Sequence, residues 1–310
     1  MPSLLAIKAR LKAVESIKKI TRAMQLVATA KIKRSEQRAK ASRPYSDEFD
    51  EILRVIAGAA QDEGKGPAAG ATIELSLEEN KPPVEIETTK IFEQPGEPEP
   101  KRAGLVLVTS DRGMCGAFNT KLIRAAVEFI KNHPQMDVRL VPIGRKGYLY
   151  FKNREAPILH HQEHVGDGLD LDEIRRITRK LVGLFVTGEV DALYLLYAKF
   201  ENVATSTLRI DKFLSIPRID QEARQDVYIL EPDRRSVYET LLPLYATTKI
   251  YAALADSFAS EQGARMTAMQ LATQNAEELI DGFIIERNRL RQAVITKELS
   301  EIVGAAESLR

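Results

Sequence analysis

The chain has 310 residues, of which 44% are hydrophobic and 29% charged, a composition typical of a globular protein with a substantial core. Aromatic residues are scarce at 6% and Trp is absent, which favours long helices over an aromatic-lined pocket or a β-sandwich. The single cysteine, Cys115, excludes a disulfide framework and a Cys-based zinc site within one chain. The sequence contains no run of 18 apolar residues and no apolar signal segment, so we expect neither a membrane span nor secretion.

The net charge of +1 conceals an uneven distribution of charge along the chain. Residues 1–43 carry twelve Lys or Arg and two Glu, a net charge of +10. Residues 62–99 carry ten acidic residues and three Lys, a net charge of −7. A basic arm of this kind is typical of proteins that bind nucleic acid, an anionic membrane or an acidic protein, and it also occurs as a solvated helix face.

The N-terminal segment predicts one long helix, because neither Gly nor Pro interrupts residues 3–43. Apolar residues recur there in steps of three or four with cations between them, which is the spacing of a helix. These residues, which we call the apolar stripe of this helix, are Leu4, Ile7, Leu11, Val14, Ile17, Ile20, Met24 and Val27. Pro44 is expected to kink or end this helix, with a few further turns up to Gly58.

The next part of the chain breaks the helical pattern and then alternates between strands and helices. Residues 59–102 form an acidic, Pro-rich insert with short strands predicted at 71–77 and 84–92. Residues 103–232 predict a Rossmann-like α/β domain with a parallel sheet covered on both faces. Its predicted strands are 103–109, 138–143, 157–161 and 192–198 with an edge strand at 203–214, and its predicted helices are 119–131, 145–153 and 170–187, the last capped by Asp170.

The C-terminal segment, 233–310, is predicted to be helical again. A short helix over 233–242 is followed by Pro243, which suits the first turn of a new helix that continues to Leu309. A helix that long needs a partner helix, and the N-terminal helix is the simplest choice. The predicted fold is therefore α/β plus a long antiparallel coiled coil of the N- and C-terminal helices, with the domains 1–58, 59–102, 103–232 and 233–310.

The two prolines also predict a register for this coiled coil. If Pro44 and Pro243 lie at one level, the numbers of facing residues add up to about 287 along both helices. Met24 would then lie near residue 263, and residues 285–310 would project as a single helix.

No group of residues predicts catalysis, a cofactor site or a metal site. Gly113 and Gly116 follow a predicted strand, but the third glycine of a dinucleotide-binding turn is missing, so a tight turn explains them better. The histidines that cluster with Glu163 lack the spacing of a metal motif and are expected on the surface. These histidines are His160, His161 and His164. Cys115 has no neighbouring base in the sequence, which favours a structural thiol.

Three separated segments resemble the γ subunit family of F-type ATP synthases, in the order found in that family. The first begins at Ile17-Lys18-Lys19-Ile20-Thr21-Arg22-Ala23-Met24 and is followed by Ser42-Arg43-Pro44-Tyr45. The second is Ser110-Asp111-Arg112-Gly113-Met114-Cys115-Gly116-Ala117-Phe118-Asn119, which is similar to the family's SDRGLCGGFN motif. The third comprises 260–269 and 288–303. The chain is thus identified as a member of this family, of the bacterial type.

The resemblance implies a non-catalytic central-stalk rotor subunit that transmits torque between a proton-driven c-ring and the catalytic α/β hexamer. It implies ATP synthase α and β subunits, the ε subunit and the c-ring as partners, with no nucleic acid and no cofactor. It places the chain at the cytoplasmic face of the bacterial membrane, in contact with the membrane only through the c-ring. Partner-binding positions implied for the α and β subunits are Met24, Arg265, Gln292, Thr296 and Glu301.

The sequence departs from the family pattern in three places. Gln25 stands where the family often has a charged residue, and the acidic insert 59–102 is longer than expected. The cysteine-bearing insert of chloroplast relatives is absent, so we expect no thiol switch. Because the match begins almost at Met1, we expect no transit peptide.

Two other functions are consistent with parts of the pattern. A basic coiled-coil protein that binds nucleic acid would explain the N-terminal charge, and its affinity for DNA would fall steeply with salt. A nucleotide-binding α/β enzyme would explain the middle of the chain, but it requires a complete phosphate-binding fingerprint.

Overall fold

The structure, a computed structural model, describes residues 3–59, 72–75, 84–87, 100–165, 168–214 and 234–308. Most of the predicted insert 59–102 therefore lies outside the described residues. The helices are α1 (Leu4–Ala59), α2 (Phe118–Asn132), α3 (Arg145–Lys152), α4 (Leu171–Val186) and α5 (Arg234–Ser308). The strands are β1 (Thr72–Leu75), β2 (Val84–Glu87), β3 (Arg102–Val108), β4 (Asp137–Ile143), β5 (Ala192–Phe200) and β6 (Ser206–Leu214).

The central sheet has four strands in the order β4-β3-β5-β6. β3 pairs in parallel with β4 and β5, whereas β6 pairs antiparallel with β5 at one edge, as predicted for the edge strand. β1 and β2 form a separate antiparallel pair, with Thr72 opposite Glu87. The N-cap of α4 is also as predicted, because the Asp170 side chain accepts a hydrogen bond from the backbone N–H of Asp172.

Helices cover both faces of this sheet, which explains why β3 is apolar throughout. Val106 and Val108 belong to a core cluster that includes residues of α1, α4 and α5. Leu105 and Leu107 alternate with them and belong to a second cluster that includes residues of α2 and α3. Successive strand residues point to opposite faces, so a strand buried on both faces has no polar positions.

The strand predicted at 157–161 is wrong. That segment follows the outer edge of β4 through only two isolated parallel bridges, Leu140 to Ile158 and Ile143 to Gln162. Pro142 lies between the two bridged positions of β4. It has no N–H to donate to a neighbouring strand, which explains the interrupted pairing.

The separate helices predicted before and after Pro243 are wrong, because Pro243 lies inside α5. Pro44 lies inside α1 and does not end it, and the helix continues to Ala59, close to the predicted end at Gly58. A proline inside a helix removes one backbone hydrogen bond, and packing of the surrounding turns can outweigh that cost. The Thr247 hydroxyl donates a hydrogen bond of 2.7 Å to the carbonyl oxygen of Pro243, one turn earlier.

The chain divides into two compact units. The two-helix unit consists of Met1–Ala30 and Arg265–Arg310, and the sheet unit consists of Lys31–Ala264. Both units contain a segment of α1 that pairs antiparallel with a segment of α5, as contacts within each unit show. In the sheet unit, Arg43 contacts Asp256 and Asp50 contacts Lys249.

The register predicted from the prolines is wrong in both units. The numbers of contacting residues add up to 299 for both ion pairs of the sheet unit, against the predicted 287. In the two-helix unit they add up to 294 for Thr21 and Thr273, and to 295 for Lys18 and Glu277. Met24 therefore lies level with residue 270 or 271 rather than 263, a displacement of about 10 Å at ~1.5 Å per residue. The error arises because the prolines lie inside their helices and mark no common level.

Candidate partner-binding surface

The polar groups of the turn between β3 and α2 form hydrogen bonds with one another. The Ser110 hydroxyl donates to the carbonyl oxygen of Arg112 at 2.6 Å, and the Asn119 amide donates to the Ser110 hydroxyl at 2.8 Å. The backbone N–H of Ser110 donates to Asn119 Oδ1 at 3.0 Å. Met114 and Gly116 adopt positive φ values of 61° and 56°, which the tight turn requires. The geometry agrees with the tight turn predicted for this motif.

Helix α5 covers the carboxyl ends of β3 and β4, where open α/β sheets commonly bind ligands. Thr109, Gly144 and Glu261 line a cavity of about 10 Å³ there, room for one water molecule. Gly144 has a φ of +99°, and a Cβ at this position would lie 2.0 Å from the carbonyl oxygen of Thr109. This close approach of the backbone explains why residue 144 is a glycine, and no phosphate ligand is needed to account for it.

Cys115 and the histidines form no site of their own. Cys115 is buried in the core, and the Asn119 amide donates a hydrogen bond of 3.1 Å to its sulfur atom, as befits the predicted structural thiol. His161 is exposed and stacks on Tyr148 with ring centroids 3.8 Å apart. His160 is half-buried, and its burial, together with Lys180 and His161, lowers its pKa. Among the described residues, no three or more His, Cys, Asp or Glu are grouped so that they could hold a metal ion.

The two-helix unit has a regular seam in which steps of three and four residues alternate. This spacing is a heptad repeat, which brings the same edge of each helix to its partner in every turn. On α1 the seam is Leu4, Ile7, Leu11, Val14, Lys18, Thr21, Gln25 and Ala28. On α5 it is Met269, Thr273, Ala276, Ile280, Phe283, Arg287 and Leu290. All these residues are buried or half-buried in the unit.

The seam becomes polar where the apolar stripe of α1 leaves it. The apolar stripe follows the seam from Leu4 to Val14 and then turns onto another face of α1. In its place the seam holds a hydrogen bond of 2.8 Å from the Thr273 hydroxyl to the Thr21 hydroxyl. Beside it, Lys18 and Glu277 form an ion pair of 3.0 Å.

A row of apolar side chains on α1 is left exposed as a result. Ile17, Ile20 and Val27 are 51%, 59% and 56% exposed, and Met24 is half-buried between them. These four residues recur every three or four positions, so they share one face of the helix. We call them the outer stripe. The sequence contains a signal for the outer stripe that we missed. A strict seven-residue repeat that continues from Leu4 to Val14 assigns positions 18, 21, 25 and 28 to the seam, and this leaves the outer stripe on another face.

The C-terminal part of α5 has no partner helix within the described residues. Every residue from 291 to 304 is exposed, because α1 begins level with residue 290. The single-helix segment was predicted to begin near 285, and it begins about one and a half turns later. It carries several exposed apolar side chains: Val294, Ile295, Leu299, Ile302 and Val303. Exposed apolar surface costs about 25 cal/mol per Å², so this tip is suited to an apolar environment.

The five residues predicted to bind partners all lie in the two-helix unit but not on one face. Met24 is the half-buried member of the outer stripe, and Arg265 is buried. Gln292, Thr296 and Glu301 are exposed on the single-helix segment. Gln292 and Thr296 share a face, whereas Glu301 lies about 180° around the helix from Gln292. Glu301 also contacts Lys297 at 3.5 Å.

Comparison with known proteins covers the whole length of the chain. Residues 3–309 match the family model described as ATP synthase. The ATP synthase gamma chain of Sorangium cellulosum is 38% identical, with both chains fully covered, and that of Chlorobium luteolum is 35% identical over the same coverage. The chain belongs to the ATP synthase gamma chain family.

Solved structures share the fold of this chain. A chain of the Euglena gracilis mitochondrial ATP synthase superposes with a TM-score of 0.66, covering 99% of this chain and 94% of that one at 15% identity. A chain of the central stalk and c-ring of the Tetrahymena thermophila mitochondrial ATP synthase gives a TM-score of 0.56, covering 82% and 99% at 23% identity.

Membership of the gamma chain family bears on the alternatives raised by the sequence. It supports the predicted coiled coil with an α/β domain, and it gives no support to a nucleic-acid-binding protein. None of the helices in the described ranges is both long enough and apolar enough to cross a bilayer.

Proposed function

We propose that this chain is the central-stalk rotor subunit of an F-type ATP synthase. It would transmit torque between a proton-driven c-ring and the catalytic α/β hexamer. Membership of the gamma chain family along the full chain is the observation that carries this proposal. The outer stripe and the apolar single-helix tip support it, because an enclosing ring of subunits would cover both.

A stiff two-helix shaft suits this function energetically. Moving one charge through 100 mV yields only about 2.3 kcal/mol, so several proton transfers must be added together before one ATP is released. A shaft that bends easily would lose that energy between the two ends. Antiparallel pairing of α1 and α5 supplies stiffness, and unequal faces of the shaft would hold the catalytic sites in different conformations.

The partners follow from the same proposal. Met24, Arg265, Gln292, Thr296 and Glu301 would contact the surrounding α and β subunits. The sheet unit would contact the ε subunit and the c-ring, which would be the chain's only link to the membrane. The complex would lie at the cytoplasmic face of a bacterial membrane. The chain itself would contribute no catalytic group and hold no cofactor.

The experiment that tests this function measures coupling in membrane vesicles that contain the assembled complex. With wild-type chain, we expect ATP hydrolysis to drive proton pumping. Met24→Lys places a cation in the outer stripe, where it would meet acidic loops of β and hold one rotor angle too firmly. We expect fewer protons pumped per ATP hydrolysed, with the thermal stability of the chain unchanged.

A matched control adds the same charge elsewhere on α1. Thr29→Lys places a cation at another exposed position, about 140° around the helix from Met24. We expect normal coupling from this variant. If Met24→Lys lowers thermal stability as much as it lowers coupling, Met24 acts in helix packing and not in partner contact. ATP-driven proton pumping by vesicles that contain the α and β subunits but not this chain would contradict the proposed function itself.

A further inference from the structure

Two ion pairs connect α1 to α5 within the sheet unit, and they lie one heptad apart on both helices. Arg43 contacts Asp256 at 2.8 Å, and Asp50 contacts Lys249 seven residues further along α1. The two pairs have opposite polarity. The cation belongs to α1 in the first pair and to α5 in the second.

We propose that these two pairs lock the register of α1 on α5 through their alternating polarity. A slip of seven residues in one direction brings Asp50 level with Asp256. A slip in the other direction brings Arg43 level with Lys249, and also Glu36 level with Asp256. Each seven-residue slip therefore replaces attraction with repulsion. The lock concerns helix register alone and does not rest on the proposed function.

Packing between α1 and α5 in the sheet unit contributes little to the choice of this register. The seam positions on α5 include Ala246, Ala253 and Ser260, which are one heptad apart, buried and small. The matching residues on α1 are Ala39, Ser46 and the large, fully buried Leu53. The slip that brings Asp50 level with Asp256 would again place Leu53 opposite an alanine and Ser46 opposite a small residue, so packing at these levels discriminates weakly against that slip.

The burial of the four charged side chains strengthens the lock. Arg43 and Asp256 are 32% and 6% exposed, and Lys249 and Asp50 are 24% and 21% exposed. Charges that are partly buried are screened less by salt than charges on the open surface. The Arg43 guanidinium also donates a hydrogen bond to the carbonyl oxygen of Phe200, which ties α1 to the end of β5.

A charge swap separates the lock from ordinary ion-pair stabilisation. Asp50→Lys with Lys249→Asp keeps both ion pairs in the native register but places both cations on α1 and both anions on α5. A slip that brings position 50 level with Asp256 is then attractive instead of repulsive. The matched control, Asp50→Asn with Lys249→Gln, loses one native ion pair without making any slip attractive.

Cross-linking between cysteines reads the register directly in the purified full-length chain, with Cys115 replaced by Ser. Ser46→Cys with Ala253→Cys reports the native register, and Ser46→Cys with Ser260→Cys reports the slipped one. Wild-type charges should give the 46–253 product alone. We expect the charge swap to give about tenfold more 46–260 product than the neutral control.

The yield of the 46–253 product in parallel samples shows that the variants fold. If the neutral control gives as much 46–260 product as the charge swap, or more, the two ion pairs act only through their strength. The proposal that their alternating polarity locks the register would then be wrong. Absence of the 46–260 product from a folded charge-swap variant would overturn it equally.

Discussion

The sheet unit and the two-helix unit distribute apolar side chains in opposite ways. Of the nine largest fully buried side chains among the described residues, eight belong to the sheet unit and only Ile7 belongs to the two-helix unit. The two-helix unit instead buries Thr21 and Thr273 at its seam and exposes its outer stripe. One unit thus has a core of its own, whereas the other keeps much of its apolar surface outside. Burial within the chain accounts for the first arrangement, and binding to other chains would account for the second.

The largest effect we expect comes from a core substitution in the sheet unit. Leu105 is fully buried in the middle of β3, so Leu105→Ala removes packing atoms and leaves a cavity. We expect a loss of about 2–5 kcal/mol in the free energy of unfolding, measured by denaturant titration. Leu279→Ala in the two-helix unit is the control, because Leu279 is exposed, and it should change stability by less than about 0.5 kcal/mol. Equal losses would contradict the contrast between the units.

The second effect concerns Asp256, which is buried in the sheet unit. Burial raises the pKa of Asp256, while the hydrogen bond and charge of Arg43 lower it. Arg43→Gln removes that compensation, and we expect a loss of about 2 kcal/mol at neutral pH, below the usual cost of breaking a buried pair because Arg43 is partly exposed.

This loss should depend on pH with a definite sign. An aspartate whose folded pKa is raised destabilises the fold when ionised, so the penalty shrinks as pH falls through the folded pKa. Denaturant titrations of Arg43→Gln and wild type at pH 7 and below pH 5 measure the difference. A deficit that grows in acid would show that the Asp256 charge is not its cause.

The third effect concerns the polar seam of the two-helix unit. Thr21→Val alone removes one of two acceptors of the Thr273 hydroxyl, and the carbonyl oxygen of Met269 remains at 2.8 Å, so we expect a loss of no more than about 1 kcal/mol. Thr21→Val together with Thr273→Val removes both hydroxyls and should be nearly neutral or stabilising. Hydrogen exchange of the backbone amides in residues 11–28 reports the local stability. A double variant whose loss equals the sum of the Thr21→Val and Thr273→Val losses would show that the two hydroxyls are not coupled, contrary to this expectation.

The smallest effect is expected at His160 in the sheet unit. Burial, together with Lys180 and His161, lowers its pKa, so the folded protein favours the neutral ring. Stability is therefore fully present above pH 6.5, the ordinary value, and decreases as pH falls below it. His160→Gln should flatten the stability profile between pH 5 and 7. A stability profile that keeps the wild-type slope in His160→Gln would contradict this expectation.

The sequence by itself determined most of the elements and their order, apart from the strand expected at 157–161 and the separate short helix expected at 233–242. The long helices follow from the absence of helix breakers and the three-four spacing of apolar residues. The strands β3, β4 and β5 follow from short apolar runs, and the cap of α4 follows from Asp170. The motif around Gly113 and Cys115 identified the family, and the partner-binding role of residues such as Met24 and Gln292 stays a prediction.

Only the tertiary structure decided which residues face one another. Hydrophobic periodicity places Ile17, Ile20 and Val27 in the apolar stripe of α1 but does not say what covers them, because an apolar stripe looks the same whether the same chain or another chain covers it. The register of α1 on α5 was likewise outside the reach of the sequence, since prolines tolerated inside helices mark no level. The two helices pair through segments that are about 200 residues apart in the sequence. Their register depends on which charges and side chains meet, and this is known only once the two helices are in contact.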